Sequence, residues 1–250
     1  MWDPAVYRRY GTERSRPFFD LVGRITTETP RAVVDLGCGP GELTRTLAGR
    51  WPGARITGID SSPEMIEKAS AEPGPVAFRL GDVNDWRPEP ETDVVVTNAV
   101  LQWVPDHPAL LVRWISSLPA GATLAMQVPG NFRNPGHRAV WDLAEGPLRE
   151  ELREDPVDDA AGYADLLLGA GATVDAWETE YVHLLPVEGP DHPVLRWMEG
   201  TALRPVRAAL GDEEWTAFRA ELAVRLTDAY PERHGLVAFP FRRIFVVASV

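Results

Sequence analysis

The chain has 250 residues, 44% of them hydrophobic, and no apolar run approaches 18 residues, which predicts one globular domain and excludes a membrane-spanning helix. Acidic residues outnumber basic ones by 37 to 25, and the net charge of −12 argues against nucleic acid or membrane surfaces as partners. A single cysteine, Cys38, excludes an intrachain disulfide and a thiolate metal cluster, and five scattered histidines predict no metal site.

The first residues carry no basic segment followed by an apolar one, so we expect no secretion signal. We expect a cytoplasmic protein that acts as a monomer.

The first two thirds of the chain alternates short apolar runs with longer amphipathic stretches. Strands are predicted at 31–36, 54–59, 76–80, 93–97 and 123–128, and helices at 41–51, 62–71 and 107–117. Because strand and helix alternate, we expect a parallel sheet with helices on both faces.

Beyond residue 130 the alternation of strand and helix patterns ends. A proline- and acid-rich stretch at 149–159 predicts a mobile connection, and a short helix at 163–168 precedes two β-rich segments, 173–186 and 236–249. About fifty residues separate those segments, which is too long for a hairpin. Helical patterns at 193–210 and 212–229 therefore predict a helical cap insertion over residues 187–235.

A glycine-rich turn joins the first strand to the first helix of the sheet. Its glycines follow a G-x-G-x-G spacing at 37, 39 and 41, with Asp35 just ahead of them. In dinucleotide-binding proteins the last two glycines stand three apart, so this loop is poorly matched to a pyrophosphate. The alternative is a turn that merely connects strand to helix.

Asp60 ends the second predicted strand, about twenty residues beyond the glycines. An aspartate there can accept hydrogen bonds from both hydroxyls of a ribose. The alternative is a helix cap, but Ser61 with Glu64, or Ser62 ahead of Pro63, already supplies one. We therefore favour the ribose.

The third and fourth predicted strands also end in polar residues. Asp82, beside Gly81, would accept a hydrogen bond from an adenine amino group, or it would form a solvated turn. Asn98 is the polar residue at the end of a strand of valines. Four strand ends thus present polar groups to one crevice, the expected ligand site of an open α/β sheet.

This set of motifs resembles the S-adenosylmethionine-dependent class I methyltransferases. The resemblance implies a Rossmann-like α/β fold with a seven-stranded sheet in the order 3-2-1-4-5-7-6, strand 7 antiparallel, and a cofactor-binding core at 31–130. The loop at 37–41 would lie beside the methionine portion of the cofactor. Asp60 would bind the ribose, and Asp82 with Val83 would flank the adenine. The implied S-adenosylmethionine-binding residues are Asp35, Gly37, Cys38, Gly39, Gly41, Asp60, Ser61, Asp82, Val83, Asn98, Gln102 and Trp103.

More of the chain is similar to one family among these enzymes, the trans-aconitate 2-methyltransferases. The matching segments run from Trp2-Asp3-Pro4 to Ala238-Phe239-Pro240 and include Leu101-Gln102-Trp103-Val104-Pro105-Asp106-His107 and Leu203-Arg204-Pro205. This resemblance implies methyl esterification of a small tricarboxylic acid, with adenosylhomocysteine as the by-product. The malonyl-carrier-protein O-methyltransferases look similar around Asn98 and are an alternative, as is a non-catalytic adenosylmethionine-binding protein.

The residues also support a carboxylate acceptor, because the sequence shows no nucleophile or general-base constellation. A carboxylate with a pKa of roughly 4 is already ionised at neutral pH, so it needs no base. The chain's task would be alignment for in-line transfer and removal of water.

Arginine is suited to hold the carboxylates that do not react. Some arginines will instead form surface ion pairs, and aromatic candidates can belong to the core. Residues 1–30 are expected to form a helical segment that contributes to the active site. The substrate-binding candidates are Arg14, Arg16, Tyr7, Tyr10, Trp103, His183, Arg204, and Arg242 or Arg243.

Overall fold

The computed structural model describes residues 11–152, 154 and 156–250, with the side chains at 11–14 and 151 outside the description. Contacts divide the chain into two compact units. Within the described residues, the core unit contains 14–129, 157–179 and 243–250, and the second unit contains 130–156 and 180–242. The predicted insertion at 187–235 falls within the second unit.

Eight strands form one sheet. They are β1 (Ala32–Leu36), β2 (Arg55–Asp60), β3 (Val76–Leu80), β4 (Thr92–Asn98), β5 (Thr123–Pro129), β6 (Thr173–Pro186), β7 (Glu232–Arg233) and β8 (Leu236–Ser249). Their order is β3-β2-β1-β4-β5-β8-β6, and the two-residue β7 pairs with β8. Strands β1 to β5 are parallel, whereas β8 is antiparallel to β5. Apart from the short β7, seven strands follow the predicted order, and β8 takes the place of the predicted strand 7. The predicted order and its antiparallel strand are therefore confirmed.

The helices begin and end as follows: α1 (Gly11–Val22), α2 (Glu42–Arg50), α3 (Pro63–Ser70), α4 (His107–Ser117), α5 (Pro135–Leu143), α6 (Gly146–Glu151), α7 (Ala160–Gly169), α8 (Pro193–Glu199), α9 (Arg204–Ala209) and α10 (Asp212–Ala229). A 3-10 turn covers Leu101–Trp103. Among the described residues, no helix is both long enough and apolar enough to cross a membrane.

One face of the core sheet carries the main apolar cluster. Val34, Val95 and Met126 of neighbouring strands belong to it, together with Trp114 of α4 and Tyr163 of α7. Because successive side chains of a strand point to opposite faces, the alternate residues of these strands lie on the other face. Asp35 of β1, Asn98 of β4 and Gln127 of β5 are on that other face.

A buried hydrogen-bond chain joins α4 to α7 under this cluster. His107 Nδ1 lies 2.8 Å from the Val104 carbonyl oxygen, and its Nε2 lies 2.7 Å from the Tyr163 hydroxyl. A carbonyl only accepts, so Nδ1 carries a proton, and the ring in its neutral form accepts from Tyr163 at Nε2.

The second unit has its own apolar core. The ring of Trp197 on α8 stacks on His183 at 4.9 Å, and Phe239 and Phe241 of β8 complete an aromatic cluster around them. The backbone N–H of Gly136 in α5 donates to the Tyr230 hydroxyl at 3.0 Å, which fixes α5 against the end of α10.

The helical pattern at 193–210 forms two helices, because α8 ends at Glu199 and α9 begins at Arg204. Gly200 caps α8, and Pro205 occupies the first turn of α9, where the missing N–H of proline has no partner to lose. Helices α5 and α6 were not predicted. Each has a proline in its first turn, Pro135 and Pro147, which marks a helix start as well as a loop.

Candidate cofactor-binding site

The backbone N–H groups of the glycine loop at 37–41 donate hydrogen bonds to other groups of the protein. Gly37 and Cys38 donate to the Ile59 carbonyl at 2.7 and 3.0 Å, and Gly41 donates to the Cys38 carbonyl at 3.1 Å. The remaining N–H, of Gly39, donates to Asp60 Oδ2 at 2.8 Å. A pyrophosphate would require such groups to point outward. The geometry thus favours a ligand without phosphates at this turn.

The three glycines all adopt the left-handed conformation that favours glycine, but only one has free space beside it. A Cβ on Gly37 would overlap Val100, and one on Gly41 would approach the Phe78 ring to 2.6 Å. A Cβ on Gly39 would meet no atom within 4 Å. Gly37 and Gly41 therefore serve internal packing, and Gly39 is the point where a ligand can approach the backbone.

Asp60 ties the end of β2 to the glycine loop. Its Oδ2 accepts from the Gly39 N–H, and its Oδ1 accepts from the Ser62 N–H at 2.9 Å. The helix cap of α3 is instead supplied by Ser62, whose hydroxyl accepts from the Met65 N–H at 3.3 Å. Each Asp60 oxygen keeps a further lone pair, so the fixed carboxylate can still accept from two hydroxyl groups.

Asp35 and Cys38 are buried beside this carboxylate. Burial raises the pKa of Asp35 to about 6, although the Thr44 hydroxyl donates to its Oδ2 at 2.6 Å and opposes that shift. Burial, followed by the charges of Asp35 and Asp60, raises the pKa of the Cys38 thiol. Asp35 therefore anchors α2 to β1, and Cys38 is not a thiolate nucleophile at neutral pH.

The predicted adenine-binding residues follow β3. Asp82 is exposed, and its Oδ1 accepts from both the backbone and the side chain of Asn84, at 2.8 and 2.9 Å. Val83 is buried in the core cluster, and Ser61 is exposed at the end of β2. Asp82 thus keeps its Oδ2 available at the carboxyl edge of the sheet.

The segment after β4 contains a strained residue. Ala99 has φ of 58°, and its carbonyl accepts from Gln102 Nε2 at 2.7 Å. Asn98 is half-buried, and its Oδ1 has no hydrogen-bond partner in the part of the chain that the structure describes. Trp103 is 62% exposed. Backbone strain of this kind concentrates at ligand sites.

The substrate-binding candidates lie in different parts of the chain. Tyr7 and Tyr10 lie outside the described residues, as does the side chain of Arg14. In the core unit, Arg16 is exposed, 3.9 Å from Asp20, whereas Arg243 is buried. In the second unit Arg204 is exposed, Arg242 is half-buried and His183 belongs to the aromatic cluster.

Sequence reasoning missed Gln127 near the end of β5. Its side chain is 1% exposed, and neither amide atom has a partner among the described residues. The signal was available, because Gln127 is a polar residue near the end of an apolar strand, as Asn98 is in β4. The described residues also contain no group of three or more metal-binding side chains.

Known proteins match this chain in sequence and in fold. A family model described as a methyltransferase domain matches residues 33–121. The YcgJ protein of Bacillus subtilis has a TM-score of 0.59 at 12% identity and covers 94% of this chain and 97% of its own. A putative methyltransferase of Bacillus halodurans scores 0.58 at 12% identity, covering 92% and 96%. These two structures establish the Rossmann-like methyltransferase fold.

Sequence relatives are much closer. A trans-aconitate 2-methyltransferase of Mycolicibacterium gilvum is 57% identical and covers 100% of this chain and 99% of its own. One of Mycobacterium tuberculosis strain H37Ra is 53% identical, covering 100% and 97%. With such identity along its whole length, the chain belongs to the trans-aconitate 2-methyltransferase family.

Proposed function

We propose that this protein transfers a methyl group from S-adenosylmethionine to one carboxylate of trans-aconitate and releases the monomethyl ester. The observation that carries this proposal is the 57% identity, along the whole chain, to a relative that bears this name. The arrangement at the carboxyl edge of the sheet supports the cofactor half of the proposal independently.

The residues at that edge fit S-adenosylmethionine better than a dinucleotide. Asp60 would accept from the ribose hydroxyls, Asp82 from the adenine amino group, and the open side of Gly39 would face the methionine portion. The unpartnered Oδ1 of Asn98 can accept from the amino group of that portion. When bound, the cofactor supplies a methyl group on a positively charged sulfur, which a carboxylate oxygen can accept.

The chain itself need not remove a proton. The acceptor carboxylate is ionised at neutral pH. In the core unit the Cys38 thiol is protonated, and both ring nitrogens of His107 are engaged within the protein. The contribution of the protein is to position the two reactants and to exclude water around opposite charges that neutralise each other during transfer.

The remaining carboxylates of the acceptor require fixed positive charge. Unpaired anions in a dry site are strongly unfavourable, and arginine supplies a bidentate donor that stays charged. Arg14, Arg16, Arg204 and Arg242 are retained as candidates for this role, together with the buried Arg243.

The proposal is tested by turnover of the purified protein with S-adenosylmethionine and, separately, trans-aconitate, cis-aconitate and citrate. Adenosylhomocysteine release and product mass are recorded. We expect a monomethyl ester formed preferentially from trans-aconitate. Cofactor binding without turnover of any acid would instead support a non-catalytic binding protein.

A further inference from the structure

A buried amide without a partner lies on β5. Gln127 is 1% exposed, and neither its Oε1 nor its Nε2 forms a hydrogen bond within the described residues. Such a group is destabilising unless something completes its hydrogen bonds, and native proteins rarely retain one without a reason. Its surroundings show what would complete it.

The strand register fixes the neighbours of Gln127. Across the parallel pair it lies opposite Asn98 of β4, and across the antiparallel pair it lies opposite Phe245 of β8. Arg243 lies two residues from Phe245 toward the carboxyl end of β5, so it is the diagonal neighbour of Gln127 on the same face. Arg243 is itself buried, at 7% exposure. A neutral amide and a guanidinium thus share this end of the two strands.

At the amino end of β5, the face that carries Gln127 is packed against other side chains. Thr123 of β5 lies on the same face, and its hydroxyl is 3.1 Å from the hydroxyl of Thr27, in the segment that follows α1. Phe245 stacks on Trp177 at 4.9 Å with nearly parallel rings. On this face, therefore, threonine and apolar side chains pack at the amino end of β5. Gln127 lies nearer the carboxyl edge of the sheet, which also carries Asp60 and Asn98.

The sheet order places Gln127 on the far side of the cofactor residues. Asp60 is on β2, the glycine loop follows β1 and Asn98 ends β4, so β5 is the next strand in the direction from ribose to methionine. At roughly 4.8 Å between strands, β5 lies about 14 Å from β2. A group on β5 or β8 therefore lies beyond the methionine portion, where the methyl acceptor would bind.

We propose that the Gln127 amide and the Arg243 guanidinium together bind a carboxylate of the acceptor that does not react. This inference rests on the proposed function. Gln127 Nε2–H donates to the carboxylate, Oε1 can accept from the guanidinium, and Arg243 supplies the countercharge. Gln127 is thus a specificity-determining residue that selects acids with a carboxylate in addition to the methylated one.

The test is the kinetic behaviour of Gln127→Met, which keeps the side-chain length and removes the amide. The substrates are trans-aconitate and three diacids that each lack a different one of its carboxylates, mesaconate, glutaconate and itaconate, used as competitive inhibitors where they are not methylated. Calorimetry gives the affinities for S-adenosylmethionine and, in the adenosylhomocysteine complex, for trans-aconitate. Thr97→Val is the matched control, because it removes another buried polar atom that has no partner among the described residues, on the opposite face of β4.

We expect Gln127→Met to raise the KM for trans-aconitate by about tenfold or more, since the amide bonds a charged group. S-Adenosylmethionine affinity should stay within about twofold, and the penalty should vanish for the diacid that lacks the bound carboxylate. Thr97→Val should behave as wild type.

Three results would overturn the inference: a wild-type KM in Gln127→Met, an equal penalty for trans-aconitate and all three diacids, or an equal loss of S-adenosylmethionine affinity. The last would assign the amide to the cofactor's own carboxylate. A wild-type protein that binds trans-aconitate without methylating it refutes the proposed reaction alone, and weaker binding in Gln127→Met would still support this inference. Failure of the wild type to bind the acid overturns both.

Discussion

At the scale of single residues, we propose that cofactor binding depends most on Asp60. Its carboxylate holds the Gly39 and Ser62 N–H groups and would also accept from the ribose. Asp60→Asn replaces one acceptor oxygen with a donor that faces an N–H. Hydrogen bonds to a charged group contribute about 1.5–3 kcal/mol each, so we expect S-adenosylmethionine affinity to fall about tenfold to a hundredfold by calorimetry.

Glu64→Gln is the control for this change. Glu64 is an exposed carboxylate on α3 that pairs with Lys68 at 2.6 Å, so its loss should leave cofactor affinity unchanged. Equal affinities in wild type and Asp60→Asn would refute the ribose assignment.

Asp35 should make stability depend on pH. Its folded pKa of about 6 lies above its usual 3.8, so its favourable contribution is complete below pH 3.8 and is lost as pH rises through 6. The shift of about two units corresponds to at most about 3 kcal/mol. Asp35→Asn keeps the acceptor for Thr44 and should remove this dependence, which urea denaturation at pH 4 to 8 can measure. Parallel stability curves for wild type and variant would contradict it.

At the scale of structural elements, the turn between β1 and α2 fits against the segment after β4. A methyl group on Gly37 would overlap Val100, and its φ of 78° disfavours any side chain. We expect Gly37→Ala to lower the free energy of unfolding by about 3 kcal/mol, of which roughly 1–2 is backbone strain.

A double-mutant cycle separates the two contributions. Val100→Ala should partly rescue Gly37→Ala, because it removes the overlapping methyl groups and leaves the backbone strain. Strict additivity of the two substitutions in urea denaturation would show that the overlap is relieved in another way.

The contact between α4 and α7 makes a separate prediction. Tyr163→Phe removes the donor to His107 Nε2 and an acceptor for the Asp158 N–H. Leaving a buried nitrogen unsatisfied should destabilise the protein by about 1–3 kcal/mol, measured by thermal or urea unfolding. Cofactor affinity should not change, and a loss of affinity would place this contact in the site.

Some elements were predictable from sequence and others were not. The bounds of β1 to β5 fall within one residue of the prediction, because buried parallel strands read as short valine-rich runs between helices. The apolar spacing of 193–210 is continuous across Gly200, so periodicity alone could not divide α8 from α9. Gln127 illustrates the limit for the site, since whether a buried amide finds a partner depends on tertiary neighbours that the sequence does not give.

At the scale of the whole molecule, charge bears on the choice of acceptor. The net charge of −12 opposes long-range attraction of an acidic carrier protein as well as of a small acid. A small acid needs only local positive charge, such as the buried Arg243, whereas a carrier protein needs a basic docking face. The balance of charge therefore favours the small acid as acceptor.

The most direct test of this account is a competition between acceptors. Purified protein receives limiting S-adenosylmethionine with a labelled methyl group, in the presence of both trans-aconitate and malonyl-loaded carrier protein, and the label is located by mass spectrometry. We predict that the label appears in the monomethyl ester of trans-aconitate. Label on the carrier protein, or no transfer to either acceptor, would contradict the account.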